Sequence, residues 1–296
     1  MSRETRENRV IKICEHLSSL YYLSCLKHTI KSCPKYLEDP WDSIRFFLKG
    51  FAFERQGKSP DYSPAAYDLL EEYVGKQKPT ITNNRNDAKE IWKRFADMFG
   101  NKNLNPKNNP LCPNELCNNK SKSGNTEEKR VSRKSVIEFV ADNLKGRCLV
   151  PWARDLLKSK PEEVHKSIIE IRGVGDKIAS FFLRDVACIF GIELTKNREI
   201  LQPIDTWIRF VAQDLADNPK LTDKKCAKYI VEHSREPEKA NQGIWYYCTH
   251  VANSSRYVVK KSIRDPELIL MKQLINDHID NLKSIGEKAT KLASEF

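Results

Sequence analysis

Apolar residues recur every three to four positions through most of this chain, and no run of alternating apolar and polar residues interrupts them. That spacing places the apolar side chains on one face of a helix, whereas a half-buried strand would need a period of two. The sequence therefore predicts an all-α fold, with Asp42 as the cap of its second helix. Helices are expected at residues 10–31, 42–51, 65–74, 87–99, 136–144, 152–157, 162–171, 177–190, 205–216, 223–233, 242–259 and 266–292.

The composition excludes several classes of protein. With 296 residues, 31% of them charged, and only 11 Gly and 14 Pro, the chain is neither collagen-like nor wholly disordered. No segment approaches the roughly 20 uncharged apolar residues that a membrane helix needs. The mixed charges near the start and the absence of a cleavage site argue against a signal peptide. Nine cysteines at irregular spacings favour free thiols in a reducing compartment.

The charge balance points to a polyanionic partner. Lys and Arg total 51 against 40 Asp and Glu, which gives a formal net charge of +11. A basic surface attracts nucleic acid through its phosphates. Residues 101–130 add to this charge, because Asn, Lys, Ser and Pro dominate there and no apolar period is present. We interpret that segment as a basic surface insertion or a mobile loop.

The segment at 171–177, Ile-Arg-Gly-Val-Gly-Asp-Lys, predicts a tight turn between two helices. Two glycines at this spacing let the backbone approach a phosphate closely, and the first amides of the second helix attract an anion. Gly173, Val174, Gly175 and Asp176 are therefore candidates for binding a nucleic-acid backbone. Two alternatives remain: a purely structural helical turn, and a nucleotide-binding turn, which would need a third glycine where Ile178 stands.

Downstream, Asp205 follows Gln202, Pro203 and Ile204 at the expected start of another helix. Aspartate is a good N-terminal cap, so the simplest interpretation of Asp205 alone is a helix cap.

Together, 171–179 and 203–207 resemble the helix-hairpin-helix and Asp signature of base-excision DNA glycosylases, the superfamily of endonuclease III and the 8-oxoguanine DNA glycosylases. The match covers about 45 residues. Arg172 replaces the usual Pro, and Trp207 replaces the usual His. The interval from Lys177 to Asp205, 28 residues, is longer than usual. No cysteine follows the helix expected at 242–259, so the iron–sulfur cluster loop of endonuclease III is absent.

The resemblance implies a two-lobed helical fold with a DNA cleft between the lobes. Residues 41–190 would form a helical barrel domain ending in the hairpin, and 101–130 would be its polar insertion. Residues 191–296 would form the C-terminal lobe with the catalytic acid, and residues 1–40 would join that lobe through an N-terminal helix.

The resemblance also assigns chemistry to two residues. Lys177 would attack C1′ of the sugar as a neutral amine, expel the base and form a Schiff base that proceeds to β-elimination. Asp205 would face it across the cleft and stabilise the positive charge that develops on the deoxyribose. The expected activity is DNA N-glycosylase with abasic-site lyase activity, and the default substrate is a base like 8-oxoguanine.

An enzyme acting on a base within a duplex must flip the nucleotide and fill the gap. Gln56 or Arg55, at the end of the second expected helix, would supply that wedge, unless the segment is only a solvated helix end. Phe181, Trp207 and Trp245 are candidates to stack on the flipped base, and their alternative is ordinary core packing.

No metal or cofactor is expected. Cys112 and Cys117 lie close in sequence, but no nearby His or Cys completes a four-ligand zinc site. The expected partner is double-stranded DNA carrying a damaged or modified base, bound by a monomer away from membranes. The protein would be cytoplasmic and nucleoid-associated in a bacterium, or nuclear in a eukaryote.

Two other functions remain open. One is a glycosylase that removes a bulky hypermodified pyrimidine in phage defence. The other is a DNA-binding module without enzymatic activity, which would use the hairpin only to contact phosphates.

Overall fold

The protein is described from a computed structural model, in which residues 5–19, 35–53, 61–77, 81, 85–100, 104–117, 133–272, 276, 279 and 283 are placed. Over these residues the fold is helical, without β-strands, so the predicted all-α class is confirmed there. The only ladder-type pairing within the same ranges is an isolated bridge between Lys134 and Ile171. None of the described helices combines the length and the apolar content needed to cross a bilayer.

The chain divides into two compact units. Unit 1 comprises Met1–Cys25 and Ile204–Phe296, and unit 2 comprises Leu26–Pro203. The boundary falls at residues 203 and 204, whereas the sequence placed it at 190 and 191. Residues 191–203 belong with unit 2 because their 3-10 turn buries Leu201, and Asn197 donates a hydrogen bond of 2.8 Å to Glu162 in the same unit.

Unit 2 contains nine α-helices in its described part. They are α2 (Lys35–Glu38), α3 (Pro40–Phe47), α4 (Tyr62–Gln77), α5 (Arg85–Met98), α6 (Asn114–Cys117), α7 (Val136–Asp142), α8 (Leu149–Ser159), α9 (Pro161–Ile169) and α10 (Asp176–Phe190). A π-helical turn at Leu48–Ala52 continues α3, and short 3-10 turns lie at Pro106–Asn108 and Arg198–Leu201.

An aromatic cluster forms the centre of the unit 2 core. Phe47 and Phe51 pack edge-on against Phe182 of α10, with ring centroids 5.1 and 5.2 Å apart. All three rings are at most 1% exposed. The core thus fixes α10, which begins at the two-glycine turn, against α3 and its π-helical continuation.

Unit 1 contains α1 (Arg6–Leu17), α11 (Thr206–Leu215), α12 (Asp223–His233), α13 (Pro237–Tyr246) and α14 (Arg256–Arg264), with a π-helical turn at Tyr247–Val251. The backbones of α1 and α13 come very close at Gly243. A Cβ built on Gly243 would lie 1.8 Å from the carbonyl oxygen of Cys14. The N-terminal helix is therefore part of the same core as the helices that follow residue 204.

Of residues 101–130, interpreted as a surface insertion or mobile loop, the structure describes 104–117 and corrects the interpretation for that part. Within the described part, 104–117, Leu111 and Cys112 are fully buried and Asn109 is 1% exposed. The Asn109 side chain accepts a 3.0 Å hydrogen bond from the Leu111 amide. A few apolar residues thus anchor a segment whose average composition is polar.

Two expected helix ends are also corrected. Asp39, rather than Asp42, caps α3, because the Asp39 side chain accepts a hydrogen bond from the Asp42 amide and Pro40 occupies the first turn. The single helix expected at 242–259 is interrupted. Asn253 and Ser254 adopt positive φ angles of 47° and 56°, so the chain turns before α14 begins.

Candidate functional site

The turn between α9 and α10 is a tight β-turn that requires a glycine. The Val174 amide donates a hydrogen bond of 3.1 Å to the Ile171 carbonyl. Gly173, in the third position, has a φ angle of 75°, a left-handed conformation that L side chains rarely adopt. Val174 is fully buried beneath the turn. The turn is therefore both held closed and fixed to the body of unit 2.

Arg172 fixes the outer side of the same turn. Its side chain is 6% exposed, and its Nε donates a 3.0 Å hydrogen bond to the Cys112 carbonyl. One terminal nitrogen donates to the Arg133 carbonyl at 2.5 Å. The Arg172 amide also donates to the Lys134 carbonyl at 2.7 Å. Arg172 thus ties the turn to two neighbouring segments.

Gly175 ends the turn and caps α10 in an extended conformation, with φ −112° and ψ −177°. Any residue can adopt these angles, and a Cβ built at Gly175 would meet no atom within 4 Å. Its carbonyl accepts the first helical hydrogen bond, from the Ala179 amide at 3.0 Å. Within the described residues, the Gly175 amide pairs with no backbone acceptor, so it is a candidate donor to an anion.

Lys177 is the second residue of α10, and its side chain is exposed. Asp176, before it, is also exposed and places a carboxylate in the first helical turn. An amine therefore lies beside the amides that could bind a phosphate.

His165 joins the two helices of the hairpin. Its Nε2 lies 3.2 Å from the hydroxyl oxygen of Ser180 on α10. Burial lowers the pKa of His165, and the carboxylate and backbone of Asp176 oppose this effect less strongly. A neutral imidazole therefore suits this position, which sequence reasoning had not singled out.

Asp205 caps α11 in unit 1. Its Oδ1 accepts hydrogen bonds from the amides of Trp207 at 2.8 Å and Ile208 at 2.9 Å. Among the residues that the structure places, Oδ2 makes no hydrogen bond, and the side chain is half-buried. Burial is the main cause that raises the pKa of Cys248. The negative charge of Cys14 adds to it, and that of the Asp205 carboxylate adds less. Asp205 therefore fulfils its capping role with one oxygen, and the second oxygen remains available.

The three aromatic candidates differ in exposure. Phe181 is 5% exposed, its ring is tilted by 58° against that of Phe51 with centroids 5.0 Å apart, and the Arg184 guanidinium lies 4.6 Å from its ring centroid. Phe181 is therefore a core residue of unit 2. Trp207 and Trp245 are half-buried against the unit 1 core, so each ring keeps an exposed part.

The wedge candidates Arg55 and Gln56 lie outside the described residues.

Comparisons with known proteins give no family for this chain: no protein-family model, no curated protein and no solved structure matches it.

Proposed function

We propose that the protein is a DNA N-glycosylase with abasic-site lyase activity, in which Lys177 is the nucleophile and Asp205 the stabilising carboxylate. One observation supports this best: an exposed lysine lies in the first turn of a helix entered through two glycines. The turn would act as a helix-hairpin-helix that binds the phosphate backbone without reading base sequence.

The two glycines support backbone binding for different reasons. Gly173 is needed by the turn itself, because its φ angle is 75°. Gly175 is not needed by the surrounding protein, since a Cβ there would meet nothing within 4 Å. A glycine that its own fold does not require leaves room for an external group. A phosphate oxygen could then reach the amides at the start of α10.

The proposed chemistry uses one amine and one carboxylate. The neutral amine of Lys177 attacks C1′ of the flipped nucleotide, and the base leaves with the electron pair of the glycosidic bond. The Schiff base that results allows β-elimination of the 3′ phosphate. Positive charge develops on the sugar during base departure, and the carboxylate of Asp205 would stabilise it.

Borohydride trapping on a duplex with one abasic site tests the nucleophile, because reduction makes a Schiff base permanent. We expect a covalent adduct with the wild type and none with Lys177→Ala. Lys177→Arg should also give no adduct, because a guanidinium does not form the Schiff base, whereas duplex binding should be retained by the basic side chain. Lys158→Ala is the matched control, since Lys158 is another exposed lysine of unit 2. An adduct that persists in both Lys177 variants would refute the assignment.

A second function, a DNA-binding module without enzymatic activity, is favoured by the capping role of Asp205. Two backbone amides already explain a carboxylate at this position. Asp205→Asn separates the two functions, because Asn caps a helix about as well as Asp but carries no charge. For an enzyme we expect base release to fall at least about 100-fold, which is about 2.7 kcal/mol in the barrier, with folding and binding retained.

The substrate is tested by a screen of duplexes that each carry one modified base, scored for base release. 8-Oxoguanine opposite each of the four bases is the first set, and bulky hypermodified pyrimidines form the second. Release from the second set alone would favour a defence role. No release from either set, with binding intact, would support the non-enzymatic module.

A further inference from the structure

Two thiols lie next to the arginine that anchors the hairpin turn. The sulfur atoms of Cys112 and Cys117 are 2.7 Å apart, and both residues are free cysteines. The Cys112 carbonyl is the oxygen that accepts the hydrogen bond from Arg172. Cys112 is fully buried, whereas Cys117, the last residue of α6, is partly exposed. The proposed glycosylase chemistry uses neither thiol.

The surrounding residues fix this arrangement. The amide of Asn114, the first residue of α6, donates to both carboxylate oxygens of Glu138, at 3.2 and 3.1 Å. Glu138 is held in turn by the amide and hydroxyl of Ser135, at 2.8 and 2.9 Å. The Cys117 thiol also lies 3.2 Å from the Pro106 carbonyl. The short α6 is therefore tied to α7, and it carries Cys117 to the buried Cys112.

The electrostatic surroundings make the two thiols unequal. A hydrogen bond from Cys112 is the main cause that lowers the pKa of Cys117 to about 7, and the positive charges of Arg172 and Lys107 add to it. Burial and the carboxylate of Glu138 oppose this effect. The same hydrogen bond, together with burial, raises the pKa of Cys112. Of the two thiols, Cys117 is thus the one that ionises more readily, and Cys112 is the one that keeps its proton.

We propose that Cys112 and Cys117 form a redox-active dithiol that closes reversibly to a disulfide on reaction with a low-molecular-weight disulfide. The Cys117 thiolate attacks one sulfur of the reagent, whose S–S bond breaks and releases one thiolate. The Cys112 thiol then gives its proton to the released thiolate and attacks the Cys117 sulfur, which expels the second thiolate. The two protein thiols are oxidised, and the reagent is reduced to two thiols.

The pair fits thiol exchange better than metal binding. Over the residues that the structure places, no group of three or more His, Cys, Asp or Glu side chains is close enough to hold an ion. Structural zinc sites use four such ligands.

Formation of the Cys112–Cys117 disulfide would affect the hairpin turn through the hydrogen bonds of Arg172. The six-residue segment from Cys112 to Cys117 supplies two acceptors of that guanidinium, the Cys112 carbonyl and the Asn114 side chain. A disulfide across this segment restricts it in the unfolded chain. Oxidation should therefore raise the melting temperature of the full-length protein, and a thiol reductant should reverse the rise.

The test treats the full-length protein with oxidised glutathione at pH 7.5 and maps the products by mass spectrometry. We expect an internal Cys112–Cys117 disulfide that dithiothreitol removes. Cys112→Ala should stop at a mixed disulfide between Cys117 and glutathione, because the second thiol is missing. Cys117→Ser should form neither product. Cys148, a partly exposed thiol whose pKa is raised by burial, is the internal control and should remain reduced.

A second measurement follows alkylation of Cys117 by iodoacetamide against pH. The wild-type rate should be half-maximal near pH 7. In Cys112→Ala the half-maximal pH should rise, since the hydrogen bond to the thiolate is lost. Equal alkylation rates at Cys117 and Cys148, or failure of oxidised glutathione to produce the disulfide, would overturn the proposal. So would purification of the protein with one tightly held zinc ion that protects both thiols.

Discussion

Gly173 and Gly175 stand two residues apart but differ in what the fold requires of them. Only Gly173 has a positive φ angle, whereas Gly175 has ordinary extended angles and open space around it. We therefore expect Gly175→Ala to leave thermal unfolding unchanged and to weaken binding to a generic DNA duplex about 10-fold. That loss corresponds to about 1.4 kcal/mol, and a titration by fluorescence anisotropy measures it.

Gly75→Ala is the matched control for this substitution. Gly75 lies in α4, where an added Cβ also meets no atom within 4 Å. Its substitution should leave duplex binding unchanged. Equal affinity of Gly175→Ala and the wild type would mean that DNA does not approach the α10 amides.

Burial of His165 makes the folding stability of the protein depend on pH, and the sign of that dependence follows from the lowered pKa. The pKa of this residue is lowered in the folded state, so the unfolded chain, with a value near 6.5, binds the proton more readily. Stability is complete above that value and declines as the pH falls from it toward the lower folded pKa. His165→Gln should make the urea midpoint decline less between pH 7.5 and pH 5.5. An equal decline in variant and wild type would contradict this expectation.

Arg172 marks the limit of residue-level prediction from the sequence. From the sequence it is notable only because the glycosylase pattern that this segment resembles has a proline there. Its role depends on the Cys112 and Arg133 carbonyls, which lie 60 and 39 residues earlier in the chain. Only the tertiary fold brings those acceptors to the turn. The glycines beside it were predictable, because a tight turn sets local requirements.

At the scale of elements, α1 and α13 pack so closely that a side chain at their crossing is excluded. A Cβ at Gly243 would lie 1.8 Å from the oxygen and 2.5 Å from the carbon of the Cys14 carbonyl. Both atoms are backbone, so the two helices would have to move apart. We expect Gly243→Ala to destabilise unit 1 by at least about 2 kcal/mol, measured by urea unfolding.

Gly75→Ala serves again as the comparison. It also replaces a helical glycine, but in open space, and should stabilise the protein by up to about 1 kcal/mol. If Gly243→Ala behaved in the same way, the close contact of α1 with α13 would be disproved.

The helical pattern predicted the existence of most elements better than their ends. The helix expected at 223–233 is found at the same residues, because its apolar positions and ends are set locally. The helix expected at 242–259 is broken by left-handed residues, although its apolar period continues across the break. Residues 104–117 were missed, since three buried apolar side chains, Leu104, Leu111 and Cys112, do not make a periodic pattern.

At the scale of the whole molecule, the net charge of +11 predicts how duplex binding responds to salt. Each phosphate neutralised by Lys or Arg releases counterions, so the logarithm of affinity falls by about 0.9 per logarithmic unit of salt for each contact. We expect a steep fall for the wild type. Gly175→Ala should lower affinity with the same slope, because an amide contact neutralises no charge. A flat response would contradict backbone binding.

The candidate site was predictable in its parts. The two-glycine turn, Lys177 at the start of α10 and Asp205 at the start of α11 can each be found from spacing and helix-capping preferences. The hydrogen bonds that hold them could not, because their partners are distant in sequence. The same holds for the contact between Cys112 and Cys117, because the sequence was examined only for a zinc site at these two cysteines.

The crossing of α1 with α13 joins residues 229 positions apart, Cys14 and Gly243, with the whole of unit 2 encoded between them. During translation, α1 leaves the ribosome long before its partner exists. At a translation rate of about 5–20 residues per second, the apolar face of α1 lacks its partner helix for at least about 10 seconds. Unit 2 can finish folding in that interval. A nascent chain stalled near residue 230 should therefore bind chaperones through α1, while its unit 2 already resists protease.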